Sequence, residues 1–342
     1  MSAINRRRRS TAAATALVAA LTAGGVLLLT ACDPNGANGS DGTAGTAAPT
    51  ATAQPGGAAT GKPGASPAPT RTLNGTANSR LTISTGTNKV VMNGTVVDFG
   101  TVVRDLSWSP DGRKAAFIDG SGNLVVSNPD GTGKVTVARN PGGQTWSHPA
   151  WQVTGEDKVN HVEPHNNIFF AVAQGGETRL KGVSATAVNG VPEVLGLGTE
   201  PDVPPLPQTG NAWPNTGGDH GSAVYANAST GSVYIRDDYL RQQGGKIAEG
   251  SQPALAPNAE EVVFVRSVAG HDHIFTERLD GSQAKDLTPK ATTDYTEPVW
   301  SPDGRTLAVR TPEGIATLPA DGSKAPVLVS TYAGLPAYRA GS

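Results

Sequence analysis

The chain predicts an all-β protein: a six-bladed β-propeller of four-stranded antiparallel blades. Three observations predict it. Two stretches nearly repeat each other, Leu106-Ser-Trp108-Ser-Pro-Asp-Gly112-Arg and Pro298-Val-Trp300-Ser-Pro-Asp-Gly304-Arg. Weaker copies recur at about the length of one blade, roughly 40–50 residues. The two ends of the repeating region also have complementary defects. A lone strand ends the chain, and near residue 80 three strands lack the one that should precede them.

Each clear copy says the same local thing. An apolar strand ends on tryptophan, the chain reverses over Pro-Asp-Gly, and a second apolar strand follows (115–118 and 306–309). Proline presets φ at the first corner. Asp111 and Asp303 accept backbone N–H groups, and Gly112 and Gly304 take the positive φ that closes the turn. A strand–turn–strand unit cannot bury both of its own faces, so it must stack in an array.

Degraded copies surround Trp151, Trp213, Leu255 and Tyr338. With Trp108 and Trp300 they make six anchors, spaced 43, 62, 42, 45 and 38 residues apart. The long interval reads as a blade plus an insertion of about 20 residues. Ser184–Gly210 is the expected insert, because it holds Pro201, Pro204, Pro205 and Pro207 and shows no strand pattern. Aromatic residues recurring at one place in every blade are expected to pack between neighbouring blades, not to stack on a ligand.

Short β-branched runs bounded by Gly, Pro, Asp and Asn fill out the blades. In the first full unit they are 114–118, 124–127 and 135–138; in the unit from Leu255 they are 261–266, 274–278 and 285–287. Near the N-terminus 80–85, 89–92 and 95–99 form three strands, with Asn93-Gly94 as a hairpin turn between the last two. The C-terminal strand at Tyr338 supplies the missing fourth. That closure removes both free edges at the seam.

These motifs resemble the TolB-like propeller family, whose blades carry a Pro-x-Trp-Ser-Pro-Asp-Gly signature. The resemblance spans about residues 72–342, with full copies at 107–112 and 299–304. It implies the fold and an envelope context. The helical domain that precedes the propeller in TolB itself has no counterpart in residues 1–71, and propellers serve as scaffolds, binding modules and enzymes alike.

Residues 1–31 read as a lipoprotein signal peptide. Arg6 to Arg9 form the charged start, 12–30 are small and apolar, and Leu29-Thr30-Ala31-Cys32 fits the cleavage box. Cys32, the single cysteine, is the expected lipid-attachment site, joining the chain to the membrane through diacylglycerol. The paired arginines leave both the general and the twin-arginine export routes open. The expected localisation is extracytoplasmic, on the outer face of a bacterial cell membrane.

Residues 32–71 follow as a disordered linker. Residues 33–70 have no aromatic side chain and no Val, Ile, Leu or Met, so nothing there offsets the entropy of ordering. A flexible coil of that length reaches about 30–35 Å. The propeller domain is assigned to 72–342.

Removing the signal arginines leaves 23 basic side chains against 29 acidic ones, a formal charge of −6. No basic cluster survives in the domain, which argues against nucleic acid as a partner. The domain has no Gly-x-Ser-x-Gly, no phosphate-binding Gly-rich loop and no cysteine for thiol catalysis. His161, His165, His220, His271 and His273 fall in strand-and-turn contexts. No catalytic residue, metal ligand or resident cofactor is therefore assigned.

The repeat alignment yields one constellation. Three places before the anchors stand Asp105, His148, Gly210, Gln252, Glu297 and Leu335. This place begins the innermost strand, so Asp105, His148, Gln252 and Glu297 are expected to converge at a channel mouth, where a cation or an amine could sit. The Ser184–Gly210 insert, Trp146 and Tyr295 are expected to decorate that opening. The sequence reading is thus a lipid-anchored envelope propeller that binds a protein, peptide or glycan. The alternatives are a lyase or glycoside-cleaving propeller with a cation at the channel mouth, and a substrate-capture lipoprotein serving a transporter.

Overall fold

The computed structural model describes residues 72–197, 205–237, 239 and 244–341. The signal segment, Cys32 and the linker to residue 71 lie outside the described residues. The described chain holds β1 (Leu81–Ser84), β2 (Lys89–Met92) and β3 (Thr95–Asp98) of blade 1. Blade 2 is β4 (Arg104–Trp108), β5 (Ala115–Ile118), β6 (Leu124–Ser127) and β7 (Val135–Ala138). Blade 3 is β8 (Thr145–Val153), β9 (Asn166–Gln174), β10 (Glu177–Ser184) and β11 (Glu193–Val194). Blade 4 is β12 (Asn211–Gly217), β13 (Ser222–Asn227), β14 (Ser232–Arg236) and β15 (Gly244–Glu249). Blade 5 is β16 (Ser251–Leu255), β17 (Glu261–Val268), β18 (His271–Arg278) and β19 (Lys285–Asp286). Blade 6 is β20 (Thr296–Trp300), β21 (Thr306–Thr311), β22 (Gly314–Pro319) and β23 (Val327–Ser330), and β24 (Leu335–Tyr338) ends the chain.

The strands form six four-stranded antiparallel sheets, and β24 completes blade 1 in the order β24-β1-β2-β3. The first strands of successive blades pack against one another around the axis. Strands such as β5 and β6 are buried on both faces because a blade lies on either side. Alternation then divides the side chains. Ala115 and Phe117 pack with Val90, Phe99 and Val103 of blade 1, whereas Ala116 and Ile118 pack with Trp146, Ile168 and Phe170 of blade 3. Equivalent apolar clusters fill every other junction between neighbouring blades. The core is therefore a ring of inter-blade seams, and no blade can bury its apolar faces alone.

The seam is tied at three levels. Leu81 to Ser84 pair with Tyr338 to Leu335. Thr82 donates its hydroxyl to the Ala337 carbonyl (2.9 Å) and accepts from the Trp108 indole (2.9 Å). Arg339 donates to the Gly112 carbonyl (2.7 Å), and its guanidinium lies 5.2 Å from the centre of the Trp108 ring.

Each Trp-Ser-Pro-Asp-Gly turn is organised by its serine. Ser109 donates its hydroxyl to Asp111 (2.6 Å) and accepts the Lys114 N–H (2.9 Å). Ser301 does the same with Asp303 (2.6 Å) and Thr306 (2.9 Å). The serine hydroxyl bond, then the Arg113 or Arg305 N–H, holds each aspartate below its ordinary value.

Two expectations about the long interval are corrected. Ser184–Gly210 is not strandless, because Glu193 and Val194 pair with Gly182 and Lys181 as the outermost strand of blade 3. Much of the extra length lies elsewhere, in the 154–165 connection between β8 and β9, braced by mutual backbone bonds between Asp157 and Val162 (3.0 Å each). His271 and His273, strand-and-turn residues in the sequence, take the strand side of that choice. Both belong to β18, the turn being at Ala269-Gly270, and they pair with Asp294 (3.3 Å) and Asp286 (2.8 Å).

Candidate functional site

The inner strands share one irregularity. Asp105, His148, Trp213, Gln252 and Glu297 all have φ between 50° and 55°, a region that favours glycine. Each sits at a register shift against the second strand of its blade. A bulge puts two residues opposite one and re-aims the extra side chain. Here it turns five side chains toward the channel axis. Pro149, Pro214, Pro253 and Pro298 follow four of them, which suits proline, since an inner edge strand at a bulge has little need of that N–H.

This register corrects the sequence reading of blade 4. Trp213 is not an anchor; it is the bulged residue, equivalent to Asp105 and His148. Thr216 takes the anchor place, its hydroxyl donating to the Trp151 carbonyl. Gly210 falls outside the ring. The other anchor indoles reach back to the preceding blade: Trp108 to Thr82, Trp151 to the Ser107 carbonyl (3.2 Å) and Trp300 to the Ala254 carbonyl (3.0 Å). Leu255 joins the junction of blades 4 and 5. Tyr338 packs at the junction of blades 6 and 1, where burial pushes its phenol up to about 12.

The five bulged side chains form a connected floor. The Asp105 carboxylate accepts the His148 N–H (3.0 Å), and the Gln252 side-chain oxygen accepts the Glu297 N–H (2.7 Å). Each thereby satisfies a donor that the bulge freed in the next blade. His148 of blade 3 and Glu297 of blade 6 stand on opposite sides of the ring, yet their side chains approach to 3.4 Å across the axis. The Trp213 indole donates to the same Glu297 oxygen (3.1 Å), and its ring centre lies 5.7 Å from that of His148. Burial draws the His148 imidazole down, but the hydrogen bond and charge of Glu297, with Asp105, outweigh it and leave it above its ordinary value. Burial likewise raises Glu297, and His148, Trp213 and Arg310 outweigh it and leave it low. His148 Nδ1 is buried without a hydrogen-bond partner among the described residues.

A cavity of about 760 Å³ runs down the axis from this floor. All six inner strands line it, and its walls carry eight prolines and five aromatic side chains. At the far end its lining continues into the connections between first and second strands, at Pro110, Gly155, Gly218, Pro257 and Pro302, and to Ala340 just past β24. The lining includes none of the connections that lead into the inner strands. This reverses the expected geometry: the polar residues bridge the inner end, and the cavity opens on the face of the Pro-Asp-Gly turns. The described part of 195–210 leads into β12 at the opposite end. Trp146 does not decorate an opening either; it is 3% exposed in the core between blades 2 and 3. Tyr295 packs against the junction of blades 5 and 6.

The mouth has an asymmetric rim. The 154–165 connection of blade 3 meets Tyr239 of blade 4, whose hydroxyl donates to Asp157 and accepts from Asn160 (2.9 Å). The His220 ring lies 4.0 Å from the Tyr239 ring. A smaller cavity of about 470 Å³ beside this rim is lined by His161, Glu163, His165 and Phe169. Among the described residues no cluster of three histidine or carboxylate side chains has the geometry to hold a metal ion.

Solved structures with the same architecture fix the fold. TolB from Acinetobacter baumannii superposes with a TM-score of 0.53 at 13% identity, over 78% of this chain and 68% of that one. The fold is a TolB-like β-propeller. A structure of a nidogen/laminin complex matches the TolB-like propeller with a TM-score of 0.54 at 12% identity, over 77% of this chain and 98% of that one. A TolB protein from Agrobacterium tumefaciens aligns at 17% identity with a TM-score of 0.49, over 74% and 90%. No family model matches the sequence. No curated protein matches it either.

Proposed function

We propose that the protein is an extracytoplasmic lipoprotein, held at the membrane through Cys32, whose propeller binds a partner polypeptide in the axial cavity. The carrying observation is that cavity: about 760 Å³, lined by every blade, bridged at one end by polar side chains and open at the other. A rigid ring that converges six strands on one opening is suited to recognition. The similar fold in the nidogen/laminin structure is likewise found in a complex between proteins. The reading makes the protein a binder and not a catalyst. It involves neither a resident cofactor nor nucleic acid.

A photo-cross-linking residue at Thr154, on the mouth, tests the binding reading in the full-length protein in cells. It should capture a discrete partner, and the same residue at Thr87, in the turn between β1 and β2 on the opposite face, should not. Capture from Thr87 alone would refute the assigned face. Cys32→Ala should abolish lipid labelling and membrane retention, and unchanged retention would remove the anchor.

A further inference from the structure

The cavity is net acidic: three carboxylates line it against one imidazole, His148, which is paired with Glu297. Its charged lining consists of Asp105, Asp219 and Glu297, with His148 as the single imidazole, and no lysine or arginine lines it. Asp105 and Glu297 lie in the floor and Asp219 at the mouth, so the two ends agree in sign. The wall between them is neutral, formed by Pro149, Pro214, Pro253, Pro298 and Pro336 and by aromatic side chains. Low-dielectric walls around like-signed ends focus the field along the axis. Trp213 is pinned by Glu297 beside that acid, and Trp300 and Tyr338 are half-buried in the wall. Aromatic faces next to carboxylates favour an organic cation over a hydrated metal ion. Asp105 commits Oδ2 to the His148 N–H, which leaves its other oxygen for a donor.

We propose that the cavity seats a cationic side chain of the partner polypeptide, a lysine ammonium or an arginine guanidinium, with its charge on Asp105 and Glu297 and its stem along the proline and aromatic wall. This rests on the binding reading above and names the group recognised. A long apolar stem with one charged tip matches a neutral wall with an acidic floor. A free alkylamine presents the same chemistry, so the test separates the two sources.

The full mature protein is titrated calorimetrically with three probes: acetyl-Gly-Gly-Lys-Gly-Gly-amide, its norleucine counterpart and n-butylammonium. The lysine peptide should bind at least tenfold tighter than the norleucine peptide and tighter than n-butylammonium. Affinity should fall at least tenfold in Asp105→Asn and in Glu297→Gln, and fall further with added salt. Asp219→Asn, an exposed change that leaves the floor intact, should weaken binding by a smaller factor. Equal binding of the lysine and norleucine peptides overturns the proposal. So does unchanged affinity in Asp105→Asn with the thermal melt retained. Equal affinity for n-butylammonium overturns the polypeptide source. A partner still cross-linked from Thr154 in both floor variants leaves the binding reading standing and removes this one.

Discussion

Trp108 and Trp213 lie on equivalent inner strands and do opposite things. Trp108 is three residues past its bulge and 7% exposed, with its indole on Thr82 and its face under Arg339. Trp213 is the bulged residue itself, and its indole reaches Glu297 on the axis. One tryptophan locks two blades together; the other furnishes a cavity. The side chain does not decide between these uses. The backbone three residues upstream does, because a bulge sets which side chains point at the axis and which at the neighbouring blade.

The largest expected effect comes from truncating both. Trp108→Ala should cost about 3–5 kcal/mol, since it empties a buried slot and strips the Thr82 hydroxyl of its donor. Trp213→Ala should cost no more than about 1–2 kcal/mol, because water in the channel can replace the indole N–H on Glu297. Urea midpoints at constant m measure both. Equal losses would mean that Trp213 is an anchor after all.

A second contrast concerns how tightly blade 2 is held by the seam. Gly112 has φ +67°, and a Cβ there would lie 2.3 Å from the Ala340 carbonyl oxygen. Gly231 of blade 4 has φ +62° with open space around it. Alanine at either site meets left-handed strain of roughly 1–2 kcal/mol. Gly112→Ala must in addition push the last residues off blade 2, so its thermal melt should fall further than that of Gly231→Ala. Matched melts would show that the C-terminal strand gives way at no cost.

The contrast also explains what the sequence made legible. Blade number, strand order and closure could be read because Trp-Ser-Pro-Asp-Gly fixes a turn with local chemistry that survives without tertiary context. Blade 4 is misleading because Trp213 lines up with the other tryptophans without being an anchor. Proline was the better ruler: Pro149, Pro253, Pro298 and Pro336 each stand two residues before an anchor, and Pro214 then selects Thr216. The four polar floor residues each stand three places before a correctly placed anchor. Their meeting across the axis was not readable, because it depends on side-chain reach between opposite blades. The two-residue β11 leaves no periodic signal, and the 154–165 connection was hidden because Gly155 imitates the usual turn.

The smallest effect is the sharpest test of the two tryptophans, and it is read in pH. Glu297 is lowered in the fold, so its contribution is present above its ordinary value of 4.5 and is lost as pH falls through the lowered one. His148 is raised, so its contribution is full below 6.5 and is lost as pH rises through the raised value. The stability difference between the wild type and Glu297→Gln should therefore peak between about pH 5 and 6.5 and shrink on both sides. The Trp213 N–H helps to hold Glu297 low. Trp213→Phe keeps a ring in the floor but removes that donor, so the acid limb of the difference should move to higher pH. Trp108→Phe, which removes an indole N–H from Thr82, should leave that limb in place however much total stability it loses. If the two phenylalanine variants move the acid limb alike, Trp213 acts on Glu297 only through general packing, and the separation between anchor and channel tryptophan fails at its electrostatic end.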